Sequence, residues 1–481
     1  MSSPRSSSRP HGRPTPEAHR VSATSREPSS ARDSGSTPHP AKRSTITAWA
    51  LWDMGSAAFN AIMTTFVFTV YLTSKSFGDT DHASATLSAG LTIAGVLIAA
   101  LAPVTGQRAD VGGRRTLWLG INTYATAALM AACFFVAPDP SFLLLGMGLI
   151  CAANVVNEFA VVNYNALLPE LSTPASVGRI SGFGWACGYF GGIIALGIVL
   201  VAFIGLGSDT GMLGIPAEGA YNVRSVALFA AAWCAVLSTP LLIAMRRRDA
   251  ARLHSHPLQD AGGKRESLAA SYRRLWGTLK RLYRTSPQTL YFLVASAVFR
   301  DGLAGIFTFG GVLAAGTFGF ATTDVIIFAI VGNIVAGLGA LLGGKLDDAL
   351  GPKRVIIASL IGILLAAAPL LVFRSPVAFW ICGLALCAFV GPAQSASRTY
   401  LAQLTPAGQE GEIFGLYSTT GRATSFLAPT LFTLFVSLLG AQIWGIVGIM
   451  AVIALGLVLT LPLSPAPAAP NRALQEQTVA G

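Results

Sequence analysis

From about Ala48 to about Leu463 the chain alternates long apolar runs with short polar connections. A helix needs ~20 mostly apolar residues to cross ~30 Å of hydrocarbon. Twelve runs of that kind follow one another, near residues 48–73, 85–107, 115–137, 140–166, 179–206, 223–245, 289–318, 324–346, 353–373, 376–402, 412–439 and 441–463. The pattern predicts an all-α integral membrane protein with twelve transmembrane helices. Glycine and proline inside the runs, such as Gly188, Gly191 and Gly192 or Pro392 and Pro429, are tolerated in membrane helices whose neighbours cover the freed backbone.

The polar stretches divide the chain. Residues 1–46 are rich in Ser, Pro, Arg and Thr without hydrophobic periodicity; they cannot bury enough surface to offset ordering entropy, and a disordered basic tail is expected there. Residues 47–245 form a first six-helix bundle and residues 289–463 a second, followed by a disordered tail over 464–481. Between the bundles, residues 246–288 carry Arg246, Arg247, Arg248, Arg252, Lys264, Arg265, Arg273, Arg274, Lys280, Arg281 and Arg284. Within that segment Leu268, Tyr272, Leu275, Leu279 and Leu282 recur at helical spacing among the basic residues. An amphipathic helix on the membrane surface is predicted, with a partner-binding helix as the alternative.

Composition sharpens this picture. Of 481 residues 53% are hydrophobic and 11% charged, and a mean hydropathy of +0.59 excludes an ordinary soluble globule. The formal charge of +11 is spread over the tail and the connecting loops rather than one basic domain, which argues for membrane orientation and against nucleic acid. Placing both termini in the cytoplasm puts Arg108, Arg114, Arg115, Arg179, Lys345, Lys353, Arg354 and the central cluster inside, leaving chiefly Lys75, Arg224 and Arg374 outside. The excess of Arg over Lys and the abundance of Ala and Gly fit a GC-rich bacterial coding bias, and the expected location is the cytoplasmic (inner) membrane. All six cysteines lie in apolar segments without CxxC or Cys/His clustering, so no disulfide framework, metal or cofactor is expected. No HExxH, GxSxG or Walker loop occurs, and enzymatic chemistry is not predicted.

An internal repeat ties the two bundles together. Gly106-Gln-Arg-Ala-Asp110-Val-Gly-Gly113-Arg114-Arg115 follows the second run, and Gly344-Lys-Leu-Asp-Asp348-Ala-Leu-Gly351-Pro-Lys353-Arg354 follows the eighth, 238 positions later. Tyr164-Asn-Ala166-Leu-Leu168-Pro169 is echoed by Tyr400-Leu-Ala402-Gln-Leu404-Thr-Pro406 at an offset of 236. Two similar halves in parallel orientation, a pair of pseudo-symmetric six-helix bundles, follow from this. The duplicated G-x-x-x-D-x-x-G loop resembles that of the major facilitator superfamily; the second copy departs from it at Pro352. Trp49-Ala-Leu-Trp52-Asp53-Met-Gly-Ser56-Ala-Ala-Phe59-Asn60, the Tyr164–Leu171 stretch, Gly182-Phe-Gly184, Gly188-Tyr189-Phe-Gly191-Gly192, Ser397-Arg398-Thr-Tyr400 and Phe414-Gly415-Leu416-Tyr417 resemble its vacuole-effluxer-like branch, which includes fungal autophagy-related permeases. Trp52 stands where Tyr is commoner. The resemblance implies solute export, with amino acids the substrate class of the fungal relatives.

Polar side chains at membrane depth are costly and usually face a cavity or a partner. Asp53, Ser56, Asn60 and Thr64 fall at i, i+3, i+7 and i+11 of the first helix, one face of a regular α-helix. Asp53 is read either as a titratable coupling group or as a cap or gate partner near the helix start. Asn154, Asn157, Glu158, Val161 and Asn165 mark a second polar face on the fourth helix, where Glu158 is either a substrate or proton site or a buried structural acid. Arg300 and Asp301 on the seventh helix supply a cavity carboxylate and a cation for an anionic group or for Glu158; the alternative is a neutralised pair that only permits insertion. Arg422, with Ser418 and Ser425, is the preferred ligand for a substrate carboxylate.

The repeated loops have a mechanical reading. Gly106 and Gly344 allow close helix approach, while Asp110 and Asp348 can accept hydrogen bonds from the amino-terminal end of a helix in the other half. Arg115, Glu170 and Arg179, with Glu412 and Arg398, are candidate ion-pair partners around that cytoplasmic gate, which also includes Gly113 and Gly351. The expected protein is a secondary transporter, a functional monomer in the lipid bilayer, moving a small-molecule substrate by alternating access with proton coupling through Asp53, Glu158 or Asp301. Multidrug or lipid export and a non-transporting solute sensor are the alternatives.

Overall fold

The computed structural model describes residues 42–111, 114–205, 211–255, 268–320 and 322–465. Gly113, Lys264, Arg265 and most of the two tails lie outside them. Twelve helices are long and apolar enough to cross a membrane: α1 (Arg43–Leu72), α2 (His82–Asp110), α3 (Arg115–Phe135), α4 (Pro140–Leu171), α5 (Val177–Ile204), α6 (Glu218–Asp249), α8 (Pro287–Gly316), α9 (Asp324–Leu350), α10 (Pro352–Leu371), α11 (Pro376–Leu404), α12 (Glu410–Leu439) and α13 (Gln442–Thr460). A further helix, α7 (Leu268–Thr285), precedes α8. Among the described residues there is no strand. With twelve crossings, the first and last described residues come out on one side, the terminal face.

The halves, α1–α6 and α8–α13, repeat the same pairings. In the first, α1 packs on α5 and α6, α4 on α2 and α3, and α3 on α6. In the second, α8 packs on α12 and α13, α11 on α9 and α10, and α10 on α13. The halves meet chiefly along two seams, α2 against α12 and α5 against α9. Aromatic residues such as Trp49, Trp52, Tyr164, Phe292 and Tyr400 fill the interior, whereas Ile93, Val96, Leu144, Leu365 and Val458 are exposed, as a lipid-facing surface requires.

Beyond 3₁₀ turns at several helix ends and a one-residue break in α4 at Leu167, three helices depart from regular α geometry. The first is α-helical only to Ala58, then π-helical over Phe59–Phe66; α5 ends in a π-helical turn, Val199–Ile204. α12 breaks between Thr424 and Leu427. At the end of α9 the chain turns through Gly351 at φ 86°, a left-handed conformation that glycine adopts without a Cβ penalty. Pro352 then opens α10, where its missing N–H would be unused anyway. This accounts for the proline that interrupts the second copy of the repeated loop.

Candidate functional site

The two seams are built alike at the terminal face. Asp110, at the end of α2, accepts the backbone N–H of Gly411 at 3.0 Å and of Glu412 at 2.9 Å, in the first turn of α12. Asp348, at the end of α9, accepts those of Gly178 at 2.8 Å and Arg179 at 3.2 Å, in the first turn of α5. Each carboxylate therefore satisfies N–H groups that a helix start leaves unpaired and sits at the positive end of its dipole, each effect worth roughly 1 kcal/mol. Close approach makes this possible: a Cβ on Gly106 would collide with the Gly411 carbonyl, and one on Gly344 with that of Gly178.

Ion pairs brace both latches. Arg115 pairs with Asp110, with Glu170 at 2.5 Å and with Glu410 at 3.1 Å, and donates to the Ala166 carbonyl. Arg179 pairs with Asp348 at 2.6 Å. The ion pair anticipated for Glu412 is made by Glu410 instead, while Glu412 lies near Thr278 on α7.

Deeper between the halves, Arg398 of α11 is only 4% exposed and reaches into the first half. It donates to the Ser181 hydroxyl and carbonyl at 3.0 and 2.6 Å and to Asn165 Oδ1 at 3.2 Å. Its guanidinium lies 4.8 Å from the Trp49 ring centre and 3.7 Å from a carboxylate oxygen of Asp53. Trp49, Tyr164 and Trp52 stack in series at 4.5 and 4.2 Å, fixing the wall against which the cation rests. Asp53 is thus brought to Arg398, not to the other acids.

Further along the interface Glu158 of α4 pairs with Arg422 of α12 at 3.1 Å and accepts from the Ser418 hydroxyl at 2.8 Å. Both charged side chains remain partly exposed, at 18% for Glu158 and 36% for Arg422. Asn157 is buried beside this pair on the same helix and Asn154 is half-buried. The expected contact of Arg300 with Glu158 is not made. Arg300 instead lies 3.7 Å above the Tyr417 ring and donates to the Tyr417 carbonyl. Asp301 points away from it and accepts the N–H of Ala428 at 2.6 Å, capping the restarted segment of α12. Neighbouring helix residues diverge by about a hundred degrees, so the two serve different partners.

The polar stripe of α1 is only partly assembled. Ser56 is buried, Asn60 exposed, and the Thr64 hydroxyl bonds the Asn60 carbonyl. The π-helical stretch beginning at Phe59 changes the angular step, so Asn60 and Thr64 no longer stack over Asp53 as in a regular helix. Asp347 was missed. It is 2% exposed, and neither carboxylate oxygen has a hydrogen-bond partner among the described residues; the neighbouring Thr399 hydroxyl donates to the Ser395 carbonyl. A signal existed in the repeat, since the equivalent position of the first loop is Ala109.

Duplicated helix pairings, parallel halves and twin carboxylate latches define a transporter of the major facilitator superfamily, a multi-pass membrane protein. The fold agrees with that of solved members. The structure of the MFS proton:xylose symporter XylE bound to 6-bromo-6-deoxy-D-glucose superposes with a TM-score of 0.68 at 12% identity, over 90% of this chain and 98% of that one. A bacterial homologue of the iron transporter ferroportin in its outward-facing state gives 0.63 at 14%, over 87% and 98%. Residues 75–468 match the family described as vacuole effluxer Atg22 like, and the chain belongs to that family. The uncharacterized MFS-type transporter YxiO of Bacillus subtilis is 24% identical over 86% of this chain and 93% of its own length. Autophagy-related protein 22-1 of Aspergillus fumigatus is also 24% identical, over 53% of this chain and 42% of its own length.

Proposed function

We propose that the chain is a secondary active transporter that moves a small solute, an amino acid or related metabolite, out across a bacterial cytoplasmic membrane by proton-coupled alternating access. The observation that carries this reading is the Glu158–Arg422 pair, which joins the halves at membrane depth while both side chains stay partly exposed. A zwitterionic solute can exchange its own ammonium and carboxylate for the two protein charges, and separating them is how the halves part. The terminal face is the cytoplasmic one on this reading, both termini lie inside, and the latches hold that face shut. The protein works as a monomer, and the division into domains follows the repeat, one bundle over residues 47–245 and the other over 289–463.

Proton coupling rests on Asp53, Glu158 and Asp301 as candidate carriers. The test is solute flux into proteoliposomes under an imposed pH gradient. Amino-acid flux that responds to the gradient and is lost in Glu158→Gln supports the reading; flux indifferent to the gradient, and to neutralising all three acids, rejects the coupling. Binding without flux would identify a solute sensor. Trp185 and Tyr189 of α5, 5.9 Å apart between ring centres, with Phe307 of the other half 6.4 Å from Tyr189, favour a second reading, export of a drug-like or lipid molecule with apolar surface. Competition of such compounds against amino acids for one site distinguishes the two.

A further inference from the structure

The helix between the halves, α7, has three chemically distinct stripes. Ser271, Leu275, Thr278 and Leu282, at i, i+4, i+7 and i+11, are buried. They seat the helix against α2 and α8, beside the first turn of α12. The Tyr272 hydroxyl donates to the Ala100 carbonyl of α2 at 2.8 Å, and Arg108 of α2 donates to Ser271 at 3.2 Å. On the other side of the seam Glu412 of α12 lies near Thr278, in the field of Arg274 and Arg281. The helix also packs against α8, into which it leads. One short element thus touches both halves where they close.

Apart from the Tyr272 hydroxyl and the part-buried Leu279, the remaining stripes are turned away from that packing. Tyr272, Trp276, Leu279 and Tyr283 form an apolar and aromatic row, with Trp276 61% and Tyr283 74% exposed. Arg273, Lys280 and Arg284 form a second exposed row, and Lys280 lies 5.7 Å from the Trp276 ring centre. No acidic residue occurs between Leu268 and Thr285. Aromatic rings beside an uninterrupted row of cations suit the boundary between acyl chains and phosphate headgroups. An acidic soluble partner would match the cations but leave the aromatic row uncovered.

We infer that α7 is a staple across the α2/α12 seam, held shut by the anionic headgroups of the bilayer leaflet on the terminal face. This rests on the reading that the halves part there. Both outer rows meet the lipid together only while α7 lies flat across the seam; when α2 and α12 separate, α7 can follow only one of them. Anionic lipid therefore favours the closed seam, by about fivefold for each basic side chain at the surface and less at high salt.

The full chain is tested in vesicles of phosphatidylcholine with and without phosphatidylglycerol. Spin labels are placed by Ala175→Cys and Ala407→Cys, exposed residues of the two halves on the terminal face, in a background whose native cysteines are replaced by alanine. The expected result is two distances, with the ratio of short to long rising tenfold or more with phosphatidylglycerol. That response is lost in Arg273→Gln/Lys280→Gln/Arg284→Gln and kept in Arg273→Lys/Arg284→Lys. Two distances in a ratio indifferent to lipid charge overturn the staple while leaving the rocking of the halves intact. An undiminished response in the glutamine variant, or one that needs an added acidic protein, also overturns it. A single distance under all conditions overturns the rocking and the staple together.

Discussion

Replacing Arg398 by alanine tests how the halves are held. Three hydrogen bonds from this buried guanidinium reach Ser181 and Asn165 across the interface, and its flat face covers Trp49. Charge-assisted bonds contribute ~1.5–3 kcal/mol each when lost singly, but the sum overstates the effect because water enters the emptied site and Asp53 becomes hydrated. Breaking one side of a buried ionic cluster typically costs ~3–5 kcal/mol. Taking the lower end, closure weakens by ~3 kcal/mol, roughly a hundredfold in the closed-to-open ratio. Arg398→Lys keeps the charge but not the fork that serves Ser181 and Asn165 together, and its loss falls between wild type and alanine. The label pair at positions 175 and 407 reads the ratio, and circular dichroism confirms that the helices persist. Wild-type distances in Arg398→Ala would refute the claim that this arginine joins the halves.

The other predictions concern single contacts. Gly344→Val sets a branched side chain against the Gly178 carbonyl and should drive the terminal face open in the same distance measurement while expression holds. Glu158→Gln keeps an acceptor for Ser418 but removes the partner of Arg422; flux should fall at least tenfold, about 1.4 kcal/mol of interaction, with little change in melting temperature. Asp301→Asn retains an acceptor for the Ala428 N–H, so it should melt near wild type, whereas Asp301→Ala should lose ~1 kcal/mol as a lost cap does. Asp347→Ala, the residue of the first repeat, removes a buried carboxyl without a hydrogen-bond partner and should raise stability by ~1–3 kcal/mol, measured by thermal unfolding in detergent.

The parts legible in the sequence are those written locally. Apolar runs mark the spans because each helix must satisfy the bilayer by itself, and the glycine and aspartate of each repeated loop stay within two turns of a helix end. Partner choice is written elsewhere. Glu158 and Arg422 lie on α4 and α12, and nothing in the spacing of either helix names the other. Arg300 stood equally close to Asp301 in sequence, yet the break of α12 after Thr424 offered that carboxylate an unpaired N–H, and backbone demand prevailed. The change to π geometry at Phe59 escaped for a related reason: it adds no unusual residue, only a different hydrogen-bond step.

The latches carry a consequence for how such a molecule arises. Each takes a carboxylate from one half and a helix start from the other. A six-helix chain associating with a second copy of itself about a two-fold axis along the membrane normal would make both from one aspartate and one helix end, since a contact between residues i and j is then also made between j and i. Joining the copies in one chain releases them from identity. Ala109 and Asp347, equivalent positions of the two loops, show where one copy has drifted while the shared fastening survived.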